Sequence, residues 1–311
     1  EQHLAWSPDG TQLAFISEDQ WQARLFVADD ETGSAHEVGD LPGSVYNPAW
    51  SPDGTQLLVV HQPDPVQLRT EIRQMNLASG QAENLVVDGN INRFPTWSPD
   101  GQQVAFSRRP LDAIAVGTLA NWPETHLLDL SGGQAQQIAS DEEFFERVPL
   151  WTPDGVGLFY IKVNTTNFQI QLAVSNINTG EEYIVVEKDQ FTAFGNTSEY
   201  HWMGSWSPDG SRLGIITFAW DGETDFLGAV DVYVYNINTQ ELLLIDEVIT
   251  TGYEGPSIQP PTWSPDGSLL LYTGFDLATE TNIIFAADPA TGAVRPISVS
   301  AHNTYAPAWT P

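Results

Sequence analysis

Polar and aromatic side chains that could bind a ligand recur at fixed sequence positions before a repeated tryptophan. The positions four and five residues before it carry aromatic rings, arginines, amides, a histidine and an acid. The members of this set are Tyr46, Asn92, Arg93, Glu146, Arg147, His201, Trp202, Gln259 and Tyr305. An Arg side chain presents a planar fork that suits a carboxylate, and Tyr and Trp present flat faces for stacking. The set therefore indicates a binding site for a carboxylate, a sugar or a peptide. The alternative is that the arginines neutralise nearby acids and the aromatic rings pack the loops.

A second candidate is an acidic loop that resembles a short calcium-binding sequence. Asp221, Glu223 and Asp225 alternate around Gly222. Carboxylate oxygens are ligands that Ca²⁺ prefers, but the complete calcium-loop pattern ending in Glu is absent. We expect a solvated acidic loop here, with calcium as the alternative, and we predict no other cofactor.

Catalytic signatures are absent from this sequence. It contains no Gly-x-Ser-x-Gly nucleophile elbow and no His-Glu-x-x-His helix. Its six histidines are scattered, and the complete lack of Cys excludes disulfides, thiolate metal sites and Cys nucleophiles. We therefore predict that the chain by itself is not an enzyme.

The repeated tryptophan begins a pentapeptide, Trp-Ser-Pro-Asp-Gly, that recurs along the whole chain. Five copies and one Thr variant are complete, at Trp6–Gly10, Trp50–Gly54, Trp97–Gly101, Trp151–Gly155, Trp206–Gly210 and Trp263–Gly267. A seventh copy begins at Trp309 and stops at Pro311. Successive copies are 44 to 57 residues apart, a period typical of propeller blades or solenoid repeats.

Each repeat has the composition of four short strands. In the second repeat, runs of strand-forming residues at Leu57–Val60, Ile72–Leu77 and Glu83–Val87 are separated by turn residues. No amphipathic stretch long enough for a crossover helix is evident. The prediction is an all-β fold: a β-propeller of four-stranded antiparallel blades, six complete blades plus a seventh innermost strand at the C-terminus. We expect it to form a single domain over residues 1–311.

The pentapeptide itself predicts a tight hairpin turn. Pro presets one backbone angle, Asp can bond nearby backbone amides, and Gly tolerates a positive φ. The Trp before the turn offers a large flat surface, which we expect to pack between neighbouring blades. One carboxylate on each separate turn cannot converge on a metal ion, so the turn Asp residues are predicted to be structural.

At the level of family, the repeats resemble the TolB-type β-propeller repeats, whose units carry Pro-x-Trp-Ser-Pro-Asp-Gly. The segments 48–54 and 95–101 match that pattern closely, whereas the fifth unit has Gly204 in place of the Pro. The resemblance covers the entire chain and implies the propeller fold. The same repeats occur in periplasmic binding modules, in prolyl-oligopeptidase-like enzymes and in many surface proteins, so the resemblance implies no single function.

Net charge and composition limit which classes of partner the chain can bind and where in the cell it is expected. The chain carries 41 acidic and 11 basic residues, a net charge of −30, which repels nucleic-acid phosphates and anionic lipid. No apolar run is long enough to cross a bilayer. The absence of Cys fits an exported protein that avoids stray thiols, although cytosolic proteins can lack Cys too, and we expect a periplasmic, extracellular or cell-surface location. Without an initiator Met, the chain is expected to be a mature form or a piece of a longer one.

The connections opposite the pentapeptide turns are predicted to be the functional ones. They are long and variable, as at Arg108–Thr125, Glu187–Met203, Ala219–Ala229 and Asp246–Pro260. Variable loops on a rigid scaffold are the usual place for binding sites. We therefore predict a non-catalytic exported propeller that binds a protein or peptide through this face.

Two alternative functions remain. One is a self-assembling surface or filament subunit that pairs the surplus strand Thr304–Trp309 with a neighbouring molecule. The other is the propeller domain of a larger prolyl-oligopeptidase-like hydrolase.

Overall fold

The structure, a computed structural model, describes ten stretches of the chain. These are residues 2–19, 22–29, 31–111, 123–138, 144–164, 170–186, 199–221, 226–249, 260–276 and 281–297. Backbone packing divides the chain into two compact units, Glu1–Val185 and Val186–Pro311. The predicted single domain over the whole chain stays a prediction.

The first unit holds four antiparallel sheets, each made of four strands that pair in chain order. The first two sheets contain β1 (Gln2–Trp6), β2 (Gln12–Asp19), β3 (Gln22–Asp29), β4 (Ala35–Glu37), β5 (Ser44–Trp50), β6 (Gln56–Gln62), β7 (Glu71–Asn76) and β8 (Ala82–Val86). The next two contain β9 (Ile91–Trp97), β10 (Gln103–Arg109), β11 (Glu124–Asp129), β12 (Gln136–Gln137), β13 (Phe144–Trp151), β14 (Gly157–Asn164), β15 (Ile170–Asn176) and β16 (Glu182–Val186).

The second unit holds two further sheets with the same strand order. Their strands are β17 (Glu199–Trp206), β18 (Arg212–Asp221), β19 (Phe226–Asn236), β20 (Glu241–Ile249), β21 (Thr262–Trp263), β22 (Leu270–Asp276), β23 (Thr281–Asp288) and β24 (Ala293–Pro296). Every regular element in the described stretches is a strand, and the fold is the predicted all-β propeller with six four-stranded antiparallel blades. The surplus segment Thr304–Trp309 lies outside the described residues, so its predicted pairing is untested.

The pentapeptide forms the predicted hairpin turn between the first two strands of each blade. In the second blade, Ser51 Oγ donates to Asp53 Oδ1 at 2.6 Å, and the Thr55 amide donates to the same oxygen at 3.0 Å. The Gln56 amide donates to Ser51 Oγ at 3.0 Å, and Gly54 has a φ of 70°. Gly adopts that backbone angle with little strain, so the Ser hydroxyl, the Asp carboxylate and the Gly together shape the turn.

The motif Trp joins neighbouring blades, as predicted. In each of four pairs of blades the indole N–H donates to the backbone carbonyl just before the preceding blade's Trp. The described bonds are Trp50 to Ala5 (2.7 Å), Trp97 to Ala49 (3.1 Å), Trp151 to Thr96 (3.3 Å) and Trp263 to Ser205 (2.9 Å). A buried donor that finds such an acceptor adds stability beyond the burial of the ring.

A β-bulge interrupts the first strand of the second, third and fourth blades. The bulged residues Asn47, Phe94 and Val148 have positive φ values of 48°, 52° and 54°, and each precedes a Pro. Pro has no amide hydrogen to donate, so the ladder breaks at that point. In the fifth blade Gly204 replaces the Pro, and β17 pairs with β18 in unbroken register. The first blade, however, shifts register between Gln2 and Ala5 with Leu4 at the Pro position, so a bulge can form here without the Pro.

The bulge at Val148 is the most strained of the three, because a β-branched residue rarely adopts a positive φ. We expect Val148→Asn to raise the free energy of unfolding by about 1 kcal/mol, since Asn tolerates this conformation and already occupies the same position as Asn47. Urea denaturation of the purified variants would measure this, with Val148→Ala as the control that removes the branch alone. A Val148→Asn protein less stable than its parent would contradict the strain.

The turn aspartates give the fold an acid-sensitive element. Hydrogen bonds from the Ser207 side chain and the Ser211 amide lower the pKa of Asp209 to about 2, and those from Ser264 and Ser268 lower the pKa of Asp266 to about 2. The ordinary value is 3.8, so between these two values the unfolded chain binds more protons than the folded one. The stabilisation is therefore present above about pH 4 and is lost as the pH falls towards about 2.

We expect the Asp209→Asn/Asp266→Asn double variant to show a flatter dependence of unfolding free energy on pH than the parent across this acidic window. Urea denaturation at several pH values would measure the two slopes. Asp40→Asn, at an exposed position outside the motif, is the control for loss of a carboxylate. Equal slopes in the parent and the double variant would contradict the assignment.

Candidate functional site

In the second blade, the connections opposite the pentapeptide turns fall within the described residues, as does the start of the corresponding connection in the third blade. They are residues 62–70 between β6 and β7, residues 87–93 leading from β8 into β9, and residues 108–111 at the end of β10. The register places the first two at the same end of the second blade, because β6 ends beside the start of β7 and β8 ends there as well. We name these three segments together the long-loop surface.

Thr70 and Asn92 join the two blades across the long-loop surface. Thr70 Oγ1 donates to the Asn92 carbonyl at 2.6 Å and accepts from the Asn92 amide at 2.7 Å. The Thr70 amide donates to the Asn90 carbonyl at 3.0 Å, and Asn92 Nδ2 donates to the Thr70 carbonyl at 3.0 Å. Thr70 is 5% exposed and Asn92 is fully buried, so these bonds are shielded from water and hold the two loops rigidly together.

Asn92, one of the predicted ligand-binding residues, lies beneath the surface. Its Nδ2 group also donates to Asp88 Oδ1 at 2.9 Å, and its Oδ1 atom accepts from Arg108 Nε at 3.3 Å. Arg108 in turn pairs with Asp88 Oδ2 at 2.6 Å. Burial alone would raise the pKa of Asp88, but the bond from Asn92 and the Arg108 charge outweigh it, so the pKa lies below its usual value. Asn92 therefore positions an ionised pair.

A second charged group lies at the adjoining ends of β6 and β7. The buried His61 ring has Nε2 at 2.7 Å from the Pro42 carbonyl oxygen and Nδ1 at 3.2 Å from Glu71 Oε2. Arg73 Nη2 lies 2.6 Å from the same carboxylate oxygen. Burial raises the pKa of Glu71, but the bonds from Arg73 and His61 outweigh it and bring the pKa below its usual value. Glu71 is thus an ionised group whose charge is already matched by its neighbours.

His126 in the third blade is a packed residue. Desolvation, followed by the charge of Arg108, lowers the pKa of His126 to about 4, so the ring is neutral at pH 7. Its Nδ1 atom donates to the Glu124 carbonyl at 3.3 Å, and the ring stacks on Phe106 at 5.7 Å between centroids. The described contacts of the His126 ring are therefore those of a packed, neutral side chain.

Aliphatic side chains protrude from the long-loop surface. Val66 is 88% exposed, Leu68 is 57% exposed and Val87 is 54% exposed. Val66 lies at the tip of a turn in which its amide donates to Asp64 Oδ1 at 3.0 Å and the Gln67 amide donates to the Asp64 carbonyl at 3.1 Å. The turn fixes its own backbone, so Val66 is presented to solvent by an ordered segment.

Two arginines flank the bonds that join the blades. Arg69 directly precedes Thr70, and Arg93 directly follows Asn92. Both side chains are exposed, and neither forms an ion pair with the described part of the chain. The structure therefore places the predicted Arg93 at the surface, and its role in binding stays a prediction.

The other predicted site residues have different positions. Tyr46 is half-buried and packs against the apolar core of the first two blades. Only backbone positions are described for Glu146 and Arg147 in β13, for His201 and Trp202 in β17, and for Asp221 at the end of β18. Outside the described residues lie Gln259, Tyr305, Glu223 and Asp225.

In the stretches that the structure describes, acidic and His side chains form no group of three or more that could hold a metal ion. The same stretches contain no helix long and apolar enough to cross a membrane.

Reasoning from sequence missed the loop residues Val66, Leu68, Arg69 and Thr70. Counting back from the motif Trp reaches only the first strand of a blade, whereas these residues lie between the second and third strands. One signal was available: five of the eleven basic residues fall between Arg69 and Arg109.

Known proteins share this architecture. TolB from Acinetobacter baumannii is 18% identical with a TM-score of 0.62, over 98% of this chain and 67% of that one. An oligogalacturonate lyase from Vibrio parahaemolyticus is 15% identical with a TM-score of 0.64, over 94% of this chain and 75% of that one. At such identities these likenesses show the fold alone.

A curated relative matches part of the sequence. Dipeptidyl-peptidase 5 of Porphyromonas gingivalis is 24% identical over 122 residues, which is 38% of this chain. The match spans only 16% of the length of that protein.

The family assignment comes from the repeats themselves. The sequence profile of the TolB beta propeller domain matches residues 4–189, more than half of the chain. The matched region contains the four complete blades of the first unit, with their pentapeptide turns and interblade Trp bonds. The chain belongs to the TolB beta propeller domain family.

Proposed function

We propose that this chain is a non-catalytic binding module that holds a segment of a partner protein on its long-loop surface. The observation that carries the proposal is the exposure of Val66, Leu68 and Val87 on two segments that are bonded to each other through Thr70 and Asn90. Single exposed aliphatic residues are common, but a group of them on one ordered surface is typical of an interaction site.

The rigidity of the surface supports the same proposal. The bonds between Thr70 and Asn92 fix the boundary between the blades, and the turn at Asp64 fixes the tip. A surface that is already ordered loses little conformational entropy when a partner binds, so more of the contact energy appears as affinity. An exported location, expected from the Cys-free sequence, is part of the proposal.

A displayed library of random peptides, selected on the purified chain, tests this proposal. Enriched peptides would be synthesised with a fluorescent label and titrated by fluorescence anisotropy. We expect Val66→Asn/Leu68→Asn to weaken their binding about tenfold or more, because two aliphatic side chains lose apolar burial.

Val156→Asn is the matched control, since Val156 is a partly exposed aliphatic residue on a pentapeptide turn of the fourth blade. It is expected to leave binding within about twofold of the parent. Failure to enrich any peptide would overturn the proposal. So would peptides that bind the double variant and the parent equally.

A second candidate function follows from the curated relative. Because dipeptidyl-peptidase 5 matches this chain over part of its length, the chain could serve as the propeller domain of a larger peptidase. The test is to read the complete gene and to assay its full-length product for release of dipeptides. A full-length product with no hydrolase domain and no peptidase activity would contradict this candidate.

A further inference from the structure

The long-loop surface carries four of the eleven basic residues of this chain, Arg69, Arg93, Arg108 and Arg109, and two of its 41 acidic residues, Asp64 and Asp88. Between Arg69 and Arg109 the sequence has five basic and four acidic residues, whereas the chain as a whole carries 41 acidic and 11 basic residues. This stretch is therefore close to neutral within a protein of net charge −30. The other basic residues are spread over the rest of the chain.

The acidic residues of the same stretch do not cancel this charge at the surface. Glu83 is on β8 and Asp100 is in a pentapeptide turn at the opposite ends of the strands. Glu71 is matched by Arg73, and Asp88 is matched by Arg108. Among the described residues of the surface, Arg69 and Arg93 are exposed and form no ion pair, and Asp64 is a further carboxylate there, whose oxygens accept from the Val66 amide and the Gln67 side chain.

We propose that the ligand of the long-loop surface is an acidic peptide segment whose carboxylates pair with Arg69 and Arg93 while its apolar side chains cover Val66, Leu68 and Val87. This inference rests on the proposed function. Guanidinium groups bind carboxylates through two parallel hydrogen bonds, so each arginine supplies both charge and orientation.

The electrostatics of the whole chain adds selectivity. An acidic segment is repelled by most of a surface of net charge −30, so productive encounters are favoured at exposed arginines such as Arg69 and Arg93. Binding of this kind weakens when salt screens the charges. A basic segment would bind elsewhere on the acidic surface and would not depend on these arginines.

An anionic polysaccharide is the other ligand that arginines could hold. The neighbouring side chains disfavour it, since Val66, Leu68 and Val87 are aliphatic and offer no flat ring for a sugar to stack on. Aliphatic groups beside arginines instead match a peptide in which acidic and aliphatic residues are mixed.

The experiment uses three fluorescein-labelled octapeptides: alternating Leu and Glu, the same peptide with Gln for Glu, and the same peptide with Lys for Glu. Their dissociation constants would be measured by anisotropy for the parent chain and for Arg69→Gln/Arg93→Gln. The matched control is Arg24→Gln/Arg295→Gln, which removes two exposed arginines of other blades.

We expect the acidic peptide to bind about tenfold more tightly than the Gln peptide and to lose about tenfold in affinity in Arg69→Gln/Arg93→Gln. The control variant is expected to bind within about twofold of the parent. Raising the NaCl concentration from about 0.05 M to about 0.5 M is expected to weaken binding of the acidic peptide more than binding of the Gln peptide.

Three other outcomes overturn the inference and are distinguishable. If the acidic and Gln peptides bind with equal affinity, and Val66→Asn/Leu68→Asn weakens the binding of both, the preference for an acidic ligand is wrong but the proposed function stands. A polysaccharide site is indicated by a second pattern. In it, binding of the acidic peptide requires the two arginines, is unchanged in Val66→Asn/Leu68→Asn, and is displaced by polygalacturonate. Absence of binding by all three peptides, together with a failed peptide selection, overturns both proposals.

Discussion

Replacing Trp97 with Ala is expected to lower the free energy of unfolding by about 3–5 kcal/mol. Trp97 is 8% exposed, and its indole N–H donates to the Ala49 carbonyl of the preceding blade at 3.1 Å. The ring belongs to a buried cluster shared by the second and third blades, with Leu58, Ile72, Val86, Val104, Phe106 and Leu128. Removing it leaves a cavity between blades and an unpaired carbonyl, and both effects act in the same direction.

Trp97→Phe separates these two effects. Phe keeps much of the apolar contact but has no N–H to donate, so we expect a smaller loss of about 1–2 kcal/mol. Urea denaturation followed by circular dichroism would give both values. If Trp97→Ala unfolds within about 1 kcal/mol of the parent, the motif Trp does not hold the blades together.

Replacing Glu182 with Gln is expected to cost about 3 kcal/mol, because it removes a negative charge that pairs with a buried lysine. Lys162 is 4% exposed, and its Nζ lies 2.6 Å from Glu182 Oε1. The other oxygen of this carboxylate accepts from Tyr160 Oη at 2.5 Å. Because Gln has a single acceptor oxygen, the variant also loses one of these two hydrogen bonds, and the expected loss reports on the charge together with that bond.

A double variant tests whether the buried charge is the cause. Lys162→Met/Glu182→Leu removes both charges, so it is expected to recover most of the stability lost in Glu182→Gln. Glu181→Gln, at the exposed neighbouring position, is the control and is expected to remain within about 0.5 kcal/mol of the parent. A double variant less stable than Glu182→Gln would show that the pair stabilises the fold by its own attraction.

The turns and the strand count could be predicted because they depend on residues close in sequence. The Pro, Asp and Gly of each pentapeptide specify a turn locally, and the composition between turns specifies strands. One blade departs from the usual sequence of the turn between its third and fourth strands, and this turn too is stabilised by residues close in sequence. The fifth blade has Gln240 where other blades have Gly, and the structure shows Gln240 at a φ of 57° with its amide bonded to the Asn236 carbonyl at 2.8 Å. The turn keeps its shape despite the substitution.

Side-chain direction at the predicted site could not be read in the same way. Counting back four or five residues from the Trp assumes strict strand alternation, whereas the bulges at Asn47, Phe94 and Val148 interrupt that alternation. Asn92 lies beyond such a bulge and is buried, whereas its neighbour Arg93 is exposed.

The long-loop surface depends on contacts between distant residues. Thr70 and Asn92 are 22 positions apart and belong to different blades, so no local sequence pattern predicts the hydrogen bonds between them. The pairing brings the loop with Leu68 and Arg69 next to the strand with Arg93. The binding surface is therefore a product of how two blades meet, and the sequence alone could indicate only which face carries it.

Hydrogen–deuterium exchange with an enriched peptide is the most direct test of the long-loop surface as the binding site. We expect slower exchange on peptide binding within residues 62–70 and 87–93, with unchanged exchange at the pentapeptide turns. Arg69→Gln/Arg93→Gln should reduce this protection at the same peptide concentration. Protection confined to the pentapeptide turns, or found only in other blades, would contradict the assignment of the binding site to this surface.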